Sequence, residues 1–153
     1  MKNNDQVMKN GQAALAINPG MFNVYYYFGK VALKKNDREE ADRNFKKVLA
    51  LDTSKRSAAY VFSLYYTGKA QKAIQIEKSS LASVTAPYET VNYYYSLACL
   101  LSLNNDLEQA NSYLKKAIDG GYSKAYARQD EDLHNLQATP EFKSLVGDAG
   151  ANQ

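Results

Sequence analysis

Three sets of side chains in this 153-residue chain could do chemistry: Cys99, His134, and the acids Asp130, Glu131 and Asp132. A cysteine nucleophile needs a base beside it to form the thiolate. The sole histidine stands 35 residues further on, in a segment of different character. Cys99 sits inside "SLACLLSL", so a buried structural thiol is expected, with His134 on the surface or in a cap. A metal site needs several His, Cys or carboxylate ligands converging, and the acid triplet lacks the Asp-x-Asn-x-Asn-Gly spacing of a calcium loop. These acids read as the first turn of a short helix, where the helix dipole favours them. Gly120-Gly121 follows "LKKAID" and reads as a helix end. No Lys-Ser/Thr follows it, so it is not a phosphate loop. No catalytic residue, metal site or cofactor is expected, and the chain is not expected to be an enzyme.

The tyrosines are the more informative set. There are thirteen and no tryptophan, and two triplets, Tyr25–Tyr27 and Tyr93–Tyr95, stand in similar surroundings. Tyrosine offers a rigid apolar face and a hydroxyl at low entropic cost, which suits a recognition surface as well as a core.

The elements that carry them repeat. Phe28-Gly29, Phe62-Ser63 and Leu97-Ala98 each pair a large apolar residue with a small one, at offsets of 34 and 35. Tyr25 and Tyr94 precede their pairs by three, and Ala32, Tyr66 and Leu101 follow the small residues by three. Spacings of three and four place these side chains on one helical stripe. Turn signals follow at Lys35–Asp37, Thr67–Lys69 and Asn104–Asp106. Each then leads to a second amphipathic run: Ala41, Phe45, Val48 and Leu49; Ala73, Ile74 and Ile76; Ala110, Tyr113, Leu114, Ala117 and Ile118. The middle turn reads as two residues short, since Ala41 and Ala73 are 32 apart.

This pattern resembles the tetratricopeptide repeat, a helix-turn-helix unit of 34 residues. The resemblance implies an all-α fold, a right-handed α-α superhelix of tetratricopeptide-like repeats. A single domain over 1–146 is expected: a half-repeat at 5–19, repeats at about 22–55, 56–88 and 91–122, a helical cap at 123–146, and a tail at 147–153. Thr139-Pro140 marks a helix start within the cap. "GQAALAINPG" resembles the end of a repeat's second helix. Either a lone helix opens the native chain or the sequence is a piece of a longer protein; the second is favoured.

The resemblance also implies a non-catalytic protein-interaction or scaffold module that takes a peptide or partner segment in a groove lined by first helices. Carried over position by position, the groove residues are Tyr26, Tyr60 and Tyr95, with Asn23, Lys30, Ser57, Leu64 and Asn92 as neighbours. Tyr25 and Tyr94 would pack inside, and Tyr27 and Tyr93 would flank the groove. The other reading is that these tyrosines pack between adjacent first helices. Some members of the family grip the C-terminal carboxylate of heat-shock chaperones with Lys and Asn side chains. The matching places hold Tyr26, Lys30 and Ser96, and only Lys30 has a suitable charge, so that clamp is not expected. A scaffolding or regulatory piece of a larger bacterial protein and a self-associating module, pairing through an exposed N-terminal helix, are the competing functions.

Composition narrows the partners further. Nineteen basic against sixteen acidic residues give a net charge of +3, and the Lys-Lys pairs at 34–35, 46–47 and 115–116 each lie beside acids. These are solvated helix faces rather than the concentrated basic stripe of a nucleic-acid binder. No run of eighteen apolar residues exists, so no membrane insertion is expected. One cysteine permits no intrachain disulfide. A soluble, cytoplasmic protein is favoured, or a periplasmic one whose signal peptide has been removed.

Overall fold

A computed structural model describes residues 2–147; the tail expected at 147–153 lies, from residue 148 on, outside the described residues. The described residues form ten α-helices and one 3₁₀ turn. In chain order these are α1 (Lys2–Ile17), α2 (Phe22–Lys34), α3 (Arg38–Leu51), α4 (Ala58–Tyr66), α5 (Ala70–Ser83), α6 (Pro87–Leu103), α7 (Leu107–Asp119), α8 (Lys124–Gln129), the turn Glu131–Leu133, α9 (His134–Gln137) and α10 (Pro140–Val146). The fold is all-α and built of helix-turn-helix repeats, as expected. The chain divides into two compact units, Met1–Ala73 and Ile74–Gln153.

In the first unit α2 packs on α1, α3 and α4. The α2–α3 contact is close because Gly29 has no side chain: a Cβ there would stand 2.6 Å from Phe45 Cε1. Phe45 and Val48 are fully buried, and Ala32 and Ala41 complete the seam. In the second unit α6 and α7 form the main pair. Leu97, Ala98, Leu100, Ala110, Leu114 and Ala117 are sealed from solvent there. The C-terminal elements close over this pair, burying Leu133, Leu136, Phe142 and Val146. The start of α10 has the expected form, with Pro140 in its first turn and the Thr139 hydroxyl accepting from Phe142 N at 3.2 Å.

One turn is used four times. After α2, the N–H of Asp37 donates to Ala32 O and that of Asn36 to Leu33 O, with Asn36 at φ 58°. This is the Schellman ending, which places one residue in the left-handed region. The same two hydrogen bonds close α4 around Gly68, α6 around Asn105 and α7 around Gly121, all at positive φ. Asp37 and Asp106 then cap the next helices, accepting from Glu40 N and Gln109 N.

These turns fix the repeat register, and they correct the expected one. All three helix pairs have a three-residue connection, so the middle turn is not short. It is α4 that is short, nine residues against thirteen in α2 and seventeen in α6. Measured from Asn36, Gly68 and Asn105, the equivalent of Phe28-Gly29 in the middle pair is Tyr60-Val61, not Phe62-Ser63. The equivalents of Ala32, Ala41, Phe45 and Val48 are Leu64, Ala73, Glu77 and Ser80.

Candidate functional site

In the first unit, α2 presents a step of aromatic rings. Tyr26 meets Tyr27 edge-on at 5.7 Å and leans on Phe45 at 6.1 Å. Phe45 stacks on Tyr66 of α4 with centroids 4.8 Å apart. The Lys30 ammonium donates to the Tyr66 hydroxyl at 2.9 Å and lies 5.1 Å from that ring's centre. The step therefore grades from a sealed ring, Phe45, through half-buried Tyr26 and Tyr66 to Tyr27, which is 58% exposed. Asn23, one helical turn before Tyr27, is exposed, and Lys30 is half-buried. These residues can offer an apolar edge together with amide, phenol and ammonium donors.

Tyr25 faces away from this step. It was expected to pack inside, yet it is half-buried, with the Lys47 ammonium 4.7 Å from its ring centre and its hydroxyl donating to Pro19 O at 3.4 Å. Tyr94 in the second unit is likewise half-buried under Lys116, at 5.7 Å. A lysine on the second helix laid over a tyrosine on the first is thus a repeated device. Burying the lysine stem over an aromatic face while the charge stays wet explains why neither ring enters the core.

Three expected groove residues are core residues. Tyr60 is 7% exposed and Leu64 2%, because the middle register gives them the places of Phe28 and Ala32. Tyr95 is 8% exposed for a different reason: it holds the same repeat position as Tyr26, but the chain's own C-terminal segment covers it. Tyr122 stacks on its ring at 3.7 Å and 14°. Its hydroxyl donates to Asp130 Oδ2 at 2.7 Å. Burial, with the Cys99 and Asp130 side chains beside it, pushes the Tyr95 phenol far above the usual range. Ser57 is half-buried and occupied structurally: its hydroxyl accepts from Tyr60 N at 3.0 Å and donates to Asp52. Asn92 is exposed. As placed, Tyr60, Leu64 and Tyr95 have no face to offer a partner.

Of the groups considered for chemistry, Cys99 and Asp130 meet. Cys99 is buried, with its sulfur 3.9 Å from Asp130 Oδ2. His134 is exposed. Asp130 does cap the 3₁₀ turn, accepting from Asp132 N at 2.9 Å, as expected of first-turn acids. Among the described residues no group of His, Cys, Asp and Glu could hold a metal ion, and no helix is long and apolar enough to cross a membrane. An open groove of about 720 Å³ does lie in the second unit between α7, α8 and α10, lined by residues such as Lys115, Lys124, Pro140 and Leu145. None of the expected partner-binding residues lines it. Tyr66 and Tyr122, which complete the aromatic contacts, were also missed as partners, because nothing local ties them to Lys30 or Tyr95.

A model of the tetratricopeptide repeat matches residues 22–55 and 91–119. No curated protein matches the sequence. The two matched segments are α2–α3 and α6–α7, the pairs that keep Gly29 or Ala98 on the first helix and Phe45 or Leu114 on the second. The middle pair, with Val61 and Glu77 at those positions, lies outside both matches.

Proposed function

The chain is a tetratricopeptide repeat protein, and we propose that it is a non-catalytic interaction module that holds an extended segment of a protein partner against α2. Tetratricopeptide repeats are protein-interaction modules, which supports the general reading. The observation that carries the finer one is the graded aromatic step, in which Tyr27 is exposed while Tyr26 is held in place by Phe45. Rigid aromatic side chains with one wet edge make good anchors because little entropy is lost on contact. Asn23 and Lys30 supply hydrogen-bond donors and acceptors beside them. A peptide with an apolar or aromatic side chain and free backbone carbonyls fits this chemistry. Asn92 in the second unit is the remaining exposed member of the expected set and contributes to the same function there.

The test is a binding comparison between the native chain and Asn23→Ala/Tyr27→Ala, using a random-peptide display library as the probe. Both substituted side chains are exposed, so the variant keeps its helix content by circular dichroism. Loss of the enriched peptides by the variant supports binding at α2. Equal binding by both chains places recognition elsewhere, with the groove beside Lys115 and Lys124 as the next candidate.

A second reading is favoured by Ile17, 87% exposed at the end of α1, with Met21 41% exposed just beyond it. Exposed apolar residues at a helix end suit pairing of two copies. Light scattering across a concentration series decides it: a constant monomer mass at high concentration removes this reading.

A further inference from the structure

We propose that α5 is a pH-gated helix: it packs while Glu77 carries a proton and loosens when Glu77 ionises, because Glu77 occupies a core position that the other repeats give to Phe45 and Leu114. The register is fixed by the Schellman turns. Phe45, Glu77 and Leu114 each stand nine residues after the left-handed residue of their turn. All three are buried, Glu77 to 3% exposure. One turn on, the places of Val48 and Ala117 are taken by Ser80, also buried. The core face of α5 is thus polar at two successive positions where its counterparts are apolar.

The carboxyl is poorly served in that place. Among the described residues Glu77 Oε2 has no hydrogen-bond partner, and neither has Ser96 Oγ of α6. Burial raises the Glu77 pKa above the ordinary carboxylate range, and the nearby Ser96 hydroxyl offsets part of that. Among the described residues no charged side chain shifts it. The polar link from α5 to α7 is Lys78 Nζ to Gln109 Oε1 at 3.2 Å, which is exposed and does not reach the carboxyl. A carboxylate ionised at 3% exposure loses most of its hydration, so the charged state favours opening the site.

The sign follows from linkage. An acid whose folded pKa is raised binds its proton more tightly when packed. Its packing is most favourable below the ordinary value, is lost as pH rises from there through the raised value, and is level above it. Inside that window one proton is coupled to opening, so the open population rises about tenfold per pH unit.

Hydrogen exchange read by mass spectrometry on the full chain tests this, with intrinsic rates corrected between pH 5 and pH 8. In the native chain, peptides from α5 are expected to lose protection as pH rises, while those from α3 and α7 hold theirs. Glu77→Gln keeps the shape without the titration and flattens the α5 profile. Glu77→Leu restores the pattern of the other repeats and protects α5 at both pH values. The proposal falls if α5 protection in the native chain does not change with pH, if α3 and α7 lose protection equally, or if Glu77→Gln shows the same decline. Should one variant fail to fold, the other serves as the control without the titration, and the proposal falls if that control shows the native decline.

Discussion

Tyr95 lies flat against Tyr122, with ring centroids 3.7 Å apart and planes 14° from parallel, and its hydroxyl is tied to Asp130. Both phenols lose water in this contact and face the Asp130 carboxylate. Burial first, then the neighbouring Cys99 and Asp130 side chains, raise Tyr122 to about 12, and Tyr95 is raised further. A phenol with a raised folded pKa contributes stability that is whole below the ordinary value of about 10 and is lost as pH climbs from there toward the folded value. The thermal midpoint is therefore expected to fall between pH 10 and pH 12, with a shallower fall in Tyr122→Phe. Identical slopes in the two proteins would remove Tyr122 from the linkage.

Ser57 joins two structures through one oxygen. It caps α4 by accepting from Tyr60 N and donates to Asp52, whose carboxylate also accepts from Ser54 N at 2.9 Å and Ser54 Oγ at 2.6 Å. Burial alone would raise the Asp52 pKa, but these hydrogen bonds outweigh it and hold the carboxyl below its usual range. Ser57→Ala removes the cap and one of the donors together. A loss of about 1–2 kcal/mol is expected by denaturant titration. Asp52→Asn should in turn flatten the acid limb of the stability profile, since a depressed carboxyl gives stability present above its unfolded pKa and lost below it. An unchanged acid limb in that variant would show that Asp52 is not coupled to folding.

How much of this was legible in the sequence depends on how far each cause lies along the chain. Asp37 and Asp106 were readable as turn residues and Thr139 as a helix start, because turns and caps act within about three residues. Ala41 and Ala110 were readable because their stripes are long. The middle pair was misread because the chain writes a large residue followed by a small one at Phe62-Ser63, two positions after the true equivalent, Tyr60-Val61. Only the turn around Gly68 reveals that α4 ends early. Tyr60 and Leu64 became groove candidates through that slip. Tyr95 was placed correctly in the repeat, yet its partners Tyr122 and Asp130 come from a segment 27 and 35 residues downstream. No local pattern announces such a contact. Tyr26 escapes it: it stays half-buried against Phe45, and that difference separates two tyrosines that the sequence writes alike.

Gly29 tests the α2–α3 seam. A methyl group there would meet three atoms of the Phe45 ring within 2.9 Å, and that ring is held between Tyr26 and Tyr66. Gly29→Ala gains about 1 kcal/mol of helix propensity, yet overpacking a fixed ring costs about 1–3 kcal/mol. A net loss of stability is expected, accompanied by a change in near-ultraviolet tyrosine dichroism as the rings shift. A variant as stable as the native chain would mean that Phe45 turns aside freely.

Lys55 carries the opposite sign. It stands in the loop between α3 and α4 at φ 56°, a left-handed conformation without the short polar side chain that lets Asn36 and Asn105 adopt it cheaply. For most L-residues that region costs roughly 1–2 kcal/mol, because Cβ crowds the following carbonyl. The side chain is exposed, so glycine removes the crowding without emptying any core. Glycine also gains freedom in the unfolded chain, which returns part of the benefit. Lys55→Gly is therefore expected to stabilise the protein by about 0.5–1 kcal/mol, and Lys55→Asn by less. The same loop presents Asp52 and Ser57 to each other, so relief of its strain should leave the acid limb of the profile unchanged while raising the whole curve. A Lys55→Gly variant less stable than the native chain would show that the turn is paid for by contacts of the lysine stem rather than tolerated at its expense.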